Sequence, residues 1–247
     1  MTTLVVTGGA RGIGAAVCVA AAEAGWDVVV DYAQDAERAA DVVRRIEQAG
    51  GHALAVRADV GDAAAVEELF AAADSWRGPV TGLVNNAGIS GGQARVDEVD
   101  AATLDLVLRV NVAGPFLCAG AAVRRMSTRY GGSGGAIVNI TSRAAVLGSP
   151  GEFVHYAATK GALDTLTTGL ALEVATEGVR VNGIAVGLID TDFHDATGAV
   201  GRADRIRPTI PMKRSGPAVE VAAAAVWLLS DAASYTTGTT LAVSGGR

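Results

Sequence analysis

Short apolar runs alternate along this chain with longer stretches of helical period. Leu4 to Thr7 is the first such run, and a glycine-rich segment, Gly8–Gly14, separates it from a helix through about Ala24. Gly25 ends that helix, and Val28 to Val30 forms a second strand. Asp35 is placed to cap a helix with Ala39, Val42, Val43 and Ile46 on one face and Arg38, Asp41, Arg44 and Arg45 on the other. Further strands are predicted at Ala53–Val56, Gly82–Val84, Ala136–Ile140, Val179–Ala185 and Leu241–Val243. The intervening helices open at Asp62, cover roughly Ala102 to Arg129, and carry His155 to Glu173. The strand runs are continuously apolar rather than alternating, the mark of a parallel sheet covered on both faces. Parallel crossovers are right-handed, so the simplest topology is a doubly wound parallel α/β sheet of about seven strands, Rossmann-type, with helices on both faces. No linker interrupts the pattern, and residues 1–247 are expected to form one domain. The stretch from Asp190 to Pro217 is polar, lacks a period and holds Pro208 and Pro211, as expected of a lid at about 190–217.

Composition narrows the function. Half of the residues are apolar, enough for one core without covalent staples, and 32 glycines with 4% aromatics suit tight βα turns. Net charge is −6 with no basic stripe, which argues against nucleic acid as a partner. Cys18 and Cys118 lie in Ala-rich helical patterns and read as buried thiols. His52, His155 and His194 share no metal-ligand spacing, so no metal is expected. The N-terminus shows no basic region or cleavage site, and charges or glycines interrupt each apolar run. A soluble cytoplasmic protein is the expectation.

Three groups of residues carry candidate chemistry. Gly8, Gly12 and Gly14, between a strand and a helix, would let backbone approach a pyrophosphate that meets the helix N-terminus. By itself such a segment can be only a tight turn. Tyr156 and Lys160 stand four apart on one helical face. A phenol titrates near pH 10, and a nearby cation lowers that value by roughly 1–3 units, giving a proton-transfer group usable near neutrality. The same spacing also arises where a Tyr packs and a Lys is solvated. Asp59, Asn85, Ala87, Gly88, Thr141 and Ser142 fall after the third, fourth and fifth strands, at the rim where doubly wound sheets bind ligands. Asp59 could cap a helix or accept a hydrogen bond from an adenine amino group. The Ser142 hydroxyl could share a substrate oxygen with the phenol.

Taken in order, Thr7–Gly14, Asp59-Val60, Asn85–Gly88, Asn111, Ser142, Tyr156 with Lys160, Asn182–Thr191 and Ser244-Gly245-Gly246 resemble the short-chain dehydrogenase/reductase family along the whole chain. The resemblance implies an NAD(P)(H)-dependent oxidoreductase interconverting a secondary alcohol and a ketone, of 3-oxoacyl or sugar/polyol type. It implies Tyr156 as general acid/base, Lys160 lowering its pKa and holding the nicotinamide ribose, Ser142 orienting the substrate oxygen, and Asn111 interrupting its helix to position a relay water. Cofactor contacts are implied at Gly8, Arg11, Gly12, Ile13, Gly14, Asp59, Val60, Asn85, Ala87, Gly88, Gly187, Ile189 and Thr191, besides Tyr156 and Lys160.

Two departures stand out: Val186 where the family usually has Pro, and Ser244 where many members have Asp. At the end of the second strand Tyr32 takes the place of the NAD-selecting acid. Asp31 is expected to face away, and Arg11 resembles the basic residue of NADP-preferring members, so NADP is expected, with NAD possible. The family implies a homo-oligomer, tetramer or dimer, for which the Val219–Leu229 helix and last strand could supply interface or simply core. Phe153, His155, Phe193 and His194 are candidates to line the substrate pocket. Arg124, Arg125 and Arg129 form a weak candidate patch for a carrier protein, and Arg202, Arg205, Arg207, Lys213 and Arg214 read as solvated. Two rival classes are a cofactor-binding regulator without turnover and a lyase or epimerase that uses the cofactor transiently.

Overall fold

The computed structural model describes residues 2–191 and 201–247. In chain order the elements are β1 (Thr3–Val6), α1 (Gly12–Glu23), β2 (Asp27–Tyr32), α2 (Ala36–Gln48), β3 (His52–Arg57), α3 (Ala63–Trp76), β4 (Val80–Asn85), α4 (Ala101–Leu108) and α5 (Gly114–Met126). There follow β5 (Gly135–Ser142), α6 (Ala144–Leu147), α7 (Val154–Val174), β6 (Val179–Val186), β7 (Ile189–Asp190), α8 (Arg202–Ile206), β8 (Gly216–Pro217), α9 (Ala218–Leu229) and β9 (Thr240–Val243). Seven strands form one sheet in the order β3-β2-β1-β4-β5-β6-β9, every pair parallel, and β7 pairs with β8 apart from it. The expected doubly wound architecture is therefore present. Strand order reverses between β1 and β4, which opens a crevice at the carboxyl ends of both.

Alternation along each strand divides the core into two layers. Leu4, Val6, Val28, Val30 and Val138 face α1, α2 and α9, while Val5, Val29, Leu83, Ile137 and Val181 face α3, α5 and α7. Each large apolar side chain buried here contributes roughly 1.5–3 kcal/mol. Helix starts follow local chemistry: Asp35 accepts from the Arg38 N–H at 3.0 Å, and Asp62 accepts from the Ala64 N–H at 2.8 Å. Cys18 and Cys118 are buried free thiols.

The long helix predicted to Arg129 is not continuous. A π-helical turn at Arg109–Ala113 divides α4 from α5, and α5 ends at Met126. The whole run Ala101–Met126 is long and apolar enough to cross a membrane by length and composition, contrary to the sequence reading. Here Cys118, Ala119, Ala122 and Met126 of that run are buried against the sheet. The carrier-docking patch is also corrected. Arg124 pairs with Glu67, Arg125 with Asp74 at 2.6 Å, and Arg129 lies 4.0 Å from Glu177, so acids neutralise it. Among the described residues, the irregular stretch from Asp190 to Pro217 holds α8 and the turn Arg207–Thr209, and its two ends meet in the β7–β8 pair. α9 is largely core, with Val221, Ala222, Ala225, Leu228 and Leu229 buried and Val219 and Trp227 exposed.

Candidate active site

The carboxyl ends of β1, β4, β5 and β6 open into a cleft of about 620 Å³. The glycine turn after β1 forms one wall, and it is tied down from three sides. Thr7 Oγ1 accepts the N–H groups of Asn86 and Ala87 at 3.0 and 3.1 Å. Asn86 Nδ2 donates to the carbonyls of Thr7 and Gly8 at 2.9 and 3.0 Å. Asp31 Oδ2 accepts the Gly8 N–H at 3.1 Å, and its main-chain oxygen accepts that of Gly9 at 2.7 Å.

Gly8 and Gly12 adopt positive φ, +61° and +54°. A Cβ on Gly14 would meet the Gly8 carbonyl at 2.3 Å, so Gly14 is needed for the turn to pack on its own helix, and it does not line the cleft. No side chain caps α1, and its first turn carries no acid. Its leading N–H groups and positive dipole end are thus free to face an anion beside Gly12 and Ile13, as a dinucleotide pyrophosphate would require.

Across the cleft, α7 presents Tyr156 and Lys160 to Ser142 at the end of β5, all three lining the same space. Lys160 is buried, donates from Nζ to the Ile140 carbonyl at 2.8 Å, and sits 5.6 Å from the centre of the Tyr156 ring. Burial pushes the phenol up to about 12; a hydrogen bond with Ser142 and the charge of Arg202 pull against that. Burial draws the Lys160 ammonium down to about 8, with Asp164 one turn along opposing it. Desolvation thus outweighs the groups that favour the phenolate in this arrangement. The ammonium is committed to a main-chain carbonyl.

Asn111 sits in the π-helical turn, buried. Its Oδ1 accepts the Ile89 N–H at 2.8 Å, and its Nδ2 donates to the Ile89 carbonyl at 2.8 Å and to Thr159 Oγ1 at 3.1 Å. It does not line the cleft, yet a Cβ on Gly88 would lie 3.3 Å from Asn111 Oδ1 and 3.6 Å from Lys160 Nζ, so the two approach one spot. Arg11, Asp59, Val60, Ala87, Gly187, Ile189 and Thr191 all line the cleft. Asp59 also accepts the Gly61 N–H at 2.9 Å and pairs with Arg109 at 3.2 Å. Gly187 needs its missing side chain, because a Cβ there would meet Ser244 Cα at 2.7 Å.

Other residues fall elsewhere. Asn85, expected at the cofactor, points into the core because it is still in the strand. Its Nδ2 donates to Asn139 Oδ1 at 2.9 Å, and Asn139 donates to Thr167 at 2.8 Å, joining β4, β5 and α7 beneath the site. Its neighbour Asn86, which the sequence reading passed over, holds the glycine turn. Asp31 does not face away: it is buried under that turn and borders the cleft, with burial pushing its carboxyl up to about 7. His155 is buried, its Nε2 2.8 Å from the Ser90 carbonyl, and leaves the cleft to Phe153 and Tyr156. Arg202, read as solvated, instead lines the cleft. Phe193 and His194 lie outside the described residues.

Comparison with known proteins gives a consistent picture. The family profile described as Enoyl-(Acyl carrier protein) reductase matches residues 8–247. The chain is 51% identical over 247 residues, all of both chains, to the protein named Uncharacterized oxidoreductase YgfF of Escherichia coli K12. Among solved structures, a short-chain dehydrogenase/reductase from Serratia marcescens is 35% identical with a TM-score of 0.92, over 99% of this chain and 97% of that one. A blue fluorescent protein from a metagenomic library, solved in complex with NADPH, is 33% identical with a TM-score of 0.91 over the same shares.

Proposed function

The chain belongs to the short-chain dehydrogenase/reductase family and is an oxidoreductase; from that premise we propose that it reduces a ketone to a secondary alcohol with NADPH, Tyr156 delivering the proton. The observation that carries this reading is the convergence of Ser142, Tyr156 and Lys160 in one cleft with the uncapped N-terminus of α1. A bound nicotinamide dinucleotide supplies the hydride. The chain's own residues do the rest. Gly8, Gly12 and Ile13 receive the pyrophosphate, Ser142 orients the carbonyl oxygen, and Tyr156 protonates it as negative charge develops. A phenol that keeps its proton far above neutral pH suits reduction. Lys160, charged below about pH 8, stabilises the phenolate left behind. Asn111, touching the same region from the π-helical turn, positions the route by which the proton is replaced.

The choice of NADPH rests on the adenosine end. Tyr32 stands where an acid would bind a ribose 2′-hydroxyl. Asp31 is engaged with Gly8 through Oδ2, and burial raises its carboxyl to about 7, so it carries less than a full charge near neutral pH. Arg11, at the mouth of the turn, is free to meet a 2′-phosphate. The relative solved with NADPH supports the same choice. We further read residues 1–247 as one domain, the segment 190–217 as its substrate lid, and the exposed Val219, Trp227 and Leu241 as part of a self-association surface. The test is NADPH and NADH oxidation by purified protein over a ketone panel. Turnover with a kcat/KM preference for NADPH is expected. Cofactor binding without turnover of any ketone would defeat the reading, and an NADH preference would defeat its cofactor half.

A further inference from the structure

The two ends of the cleft differ in charge. Among the described residues, the lining carboxylate side chains Asp31, Asp35 and Asp59 all stand at the adenosine end. At the other end, around Tyr156 and Phe153, the charged lining side chains besides Lys160 are Arg143, Arg202 and Arg247, and no carboxylate side chain lines that end among the described residues. Arg202 is mostly buried, its guanidinium 5.1 Å from the Phe153 ring centre and close enough to the phenol to act on it. Glu152 pairs with Arg202 at 2.8 Å, but it is shared with Arg205 at 3.2 Å, so one carboxylate serves two cations. Arg247 makes no ion pair with a carboxylate side chain among the described residues; burial and then the nearby Arg202 charge push its pKa down, against the opposing charge of Glu152. Arg143 fixes this arrangement from behind: its Nε donates to the Arg247 main-chain oxygen at 2.6 Å, and Ser244 Oγ donates to the same oxygen at 2.8 Å.

Like charges gathered in a part-buried space repel, and an anion between them relieves that repulsion. Resting on the ketone-reductase reading above, we propose that the substrate is an oxo acid whose carboxylate is received by Arg202 and Arg247 while Tyr156 addresses its ketone. Guanidinium forks match a planar carboxylate through two parallel hydrogen bonds. The apolar lining from Phe153, Leu147 and Ile206 accommodates the carbon chain between the two polar groups.

The test uses matched probes that differ only in charge: 3-oxobutanoate, 4-oxopentanoate and 4-acetylbenzoate, each beside its methyl ester, with NADPH. For at least one pair the acid is expected to exceed the ester in kcat/KM by about tenfold or more, as for a hydrogen-bonded charge. Arg247→Gln and Arg202→Gln should each bring that ratio close to one. Glu152→Gln, which breaks the same ion pair but keeps the guanidinium, should retain the preference and so separates recognition from bracing of the lid. Esters reduced as well as acids by the wild type, or a preference that survives both arginine substitutions, would overturn the proposal. If no ketone of either charge turns over, the reductase reading falls separately. The subsite is then judged by titrating the protein–NADPH complex, read by cofactor fluorescence. Tighter binding of 4-acetylbenzoate than of its ester supports it, and equal binding overturns it.

Discussion

Asp31→Asn probes how the glycine turn is held. The Asp31 side chain is 1% exposed, its Oδ2 accepts the Gly8 N–H at 3.1 Å, and its Oδ1 has no partner. Burial raises its pKa from 3.8 to about 7, against the pull of main-chain hydrogen bonds and helped by the charge of Asp59. The folded protein thus holds this proton more tightly than the unfolded chain. Stability from this group is greatest below about pH 4, falls as pH rises, and is fully lost above about pH 7. A shift of this size corresponds to on the order of 2–4 kcal/mol, allowing for relaxation around the buried charge. Asparagine stays neutral and keeps an oxygen for the Gly8 N–H. Asp31→Asn should therefore melt about 5–10 °C above the wild type at pH 8, with the gap closing towards pH 5. Thermal melts of both proteins at pH 5, 6, 7 and 8 measure it. A difference that does not change with pH would refute the reasoning, because a buried carboxyl would then not be the source.

Gly14→Ala should displace the glycine turn, since its Cβ would meet the Gly8 carbonyl at 2.3 Å and Asn86 Nδ2 at 2.5 Å; NADPH affinity by fluorescence titration should fall more than about tenfold, with about 1–3 kcal/mol lost in stability. Asn111→Ala leaves the Ile89 N–H and carbonyl without their partners, which should cost about 2–4 kcal/mol in urea unfolding and lower kcat. The kcat/KM for reduction should fall above about pH 8 as Lys160 loses its charge, long before the phenol ionises. In Lys160→Arg the residual activity should lack that limb; a limb unmoved at pH 8 would assign it to another group.

Much of this molecule was legible in its residues, and the physical reason differs from place to place. The strands were readable because a parallel sheet buried on both faces demands continuous apolar runs, as in Leu4 to Val6 and Val28 to Val30. The glycine turn and Tyr156 with Lys160 were readable because their spacing is local. Side-chain direction at strand ends was harder. Asn85 and Asn86 are adjacent, yet one enters the core and the other clamps the turn, and composition does not distinguish them. Asp31 was misjudged for the same reason. Arg202 and Arg247 were missed because they reach the cleft from a helix and a chain segment far from it in sequence, and only tertiary packing brings them beside Tyr156. The π-helical turn left no trace in periodicity; only the resemblance through Asn111 suggested a break.

The most direct check on the account is Tyr156→Phe, assayed for NADPH-dependent reduction of the best ketone and, separately, for NADPH binding. Turnover should drop by at least about 10²-fold while the affinity for NADPH stays within a few-fold of the wild type. A variant that turned over at nearly the wild-type rate would take the phenol out of the chemistry and contradict the account.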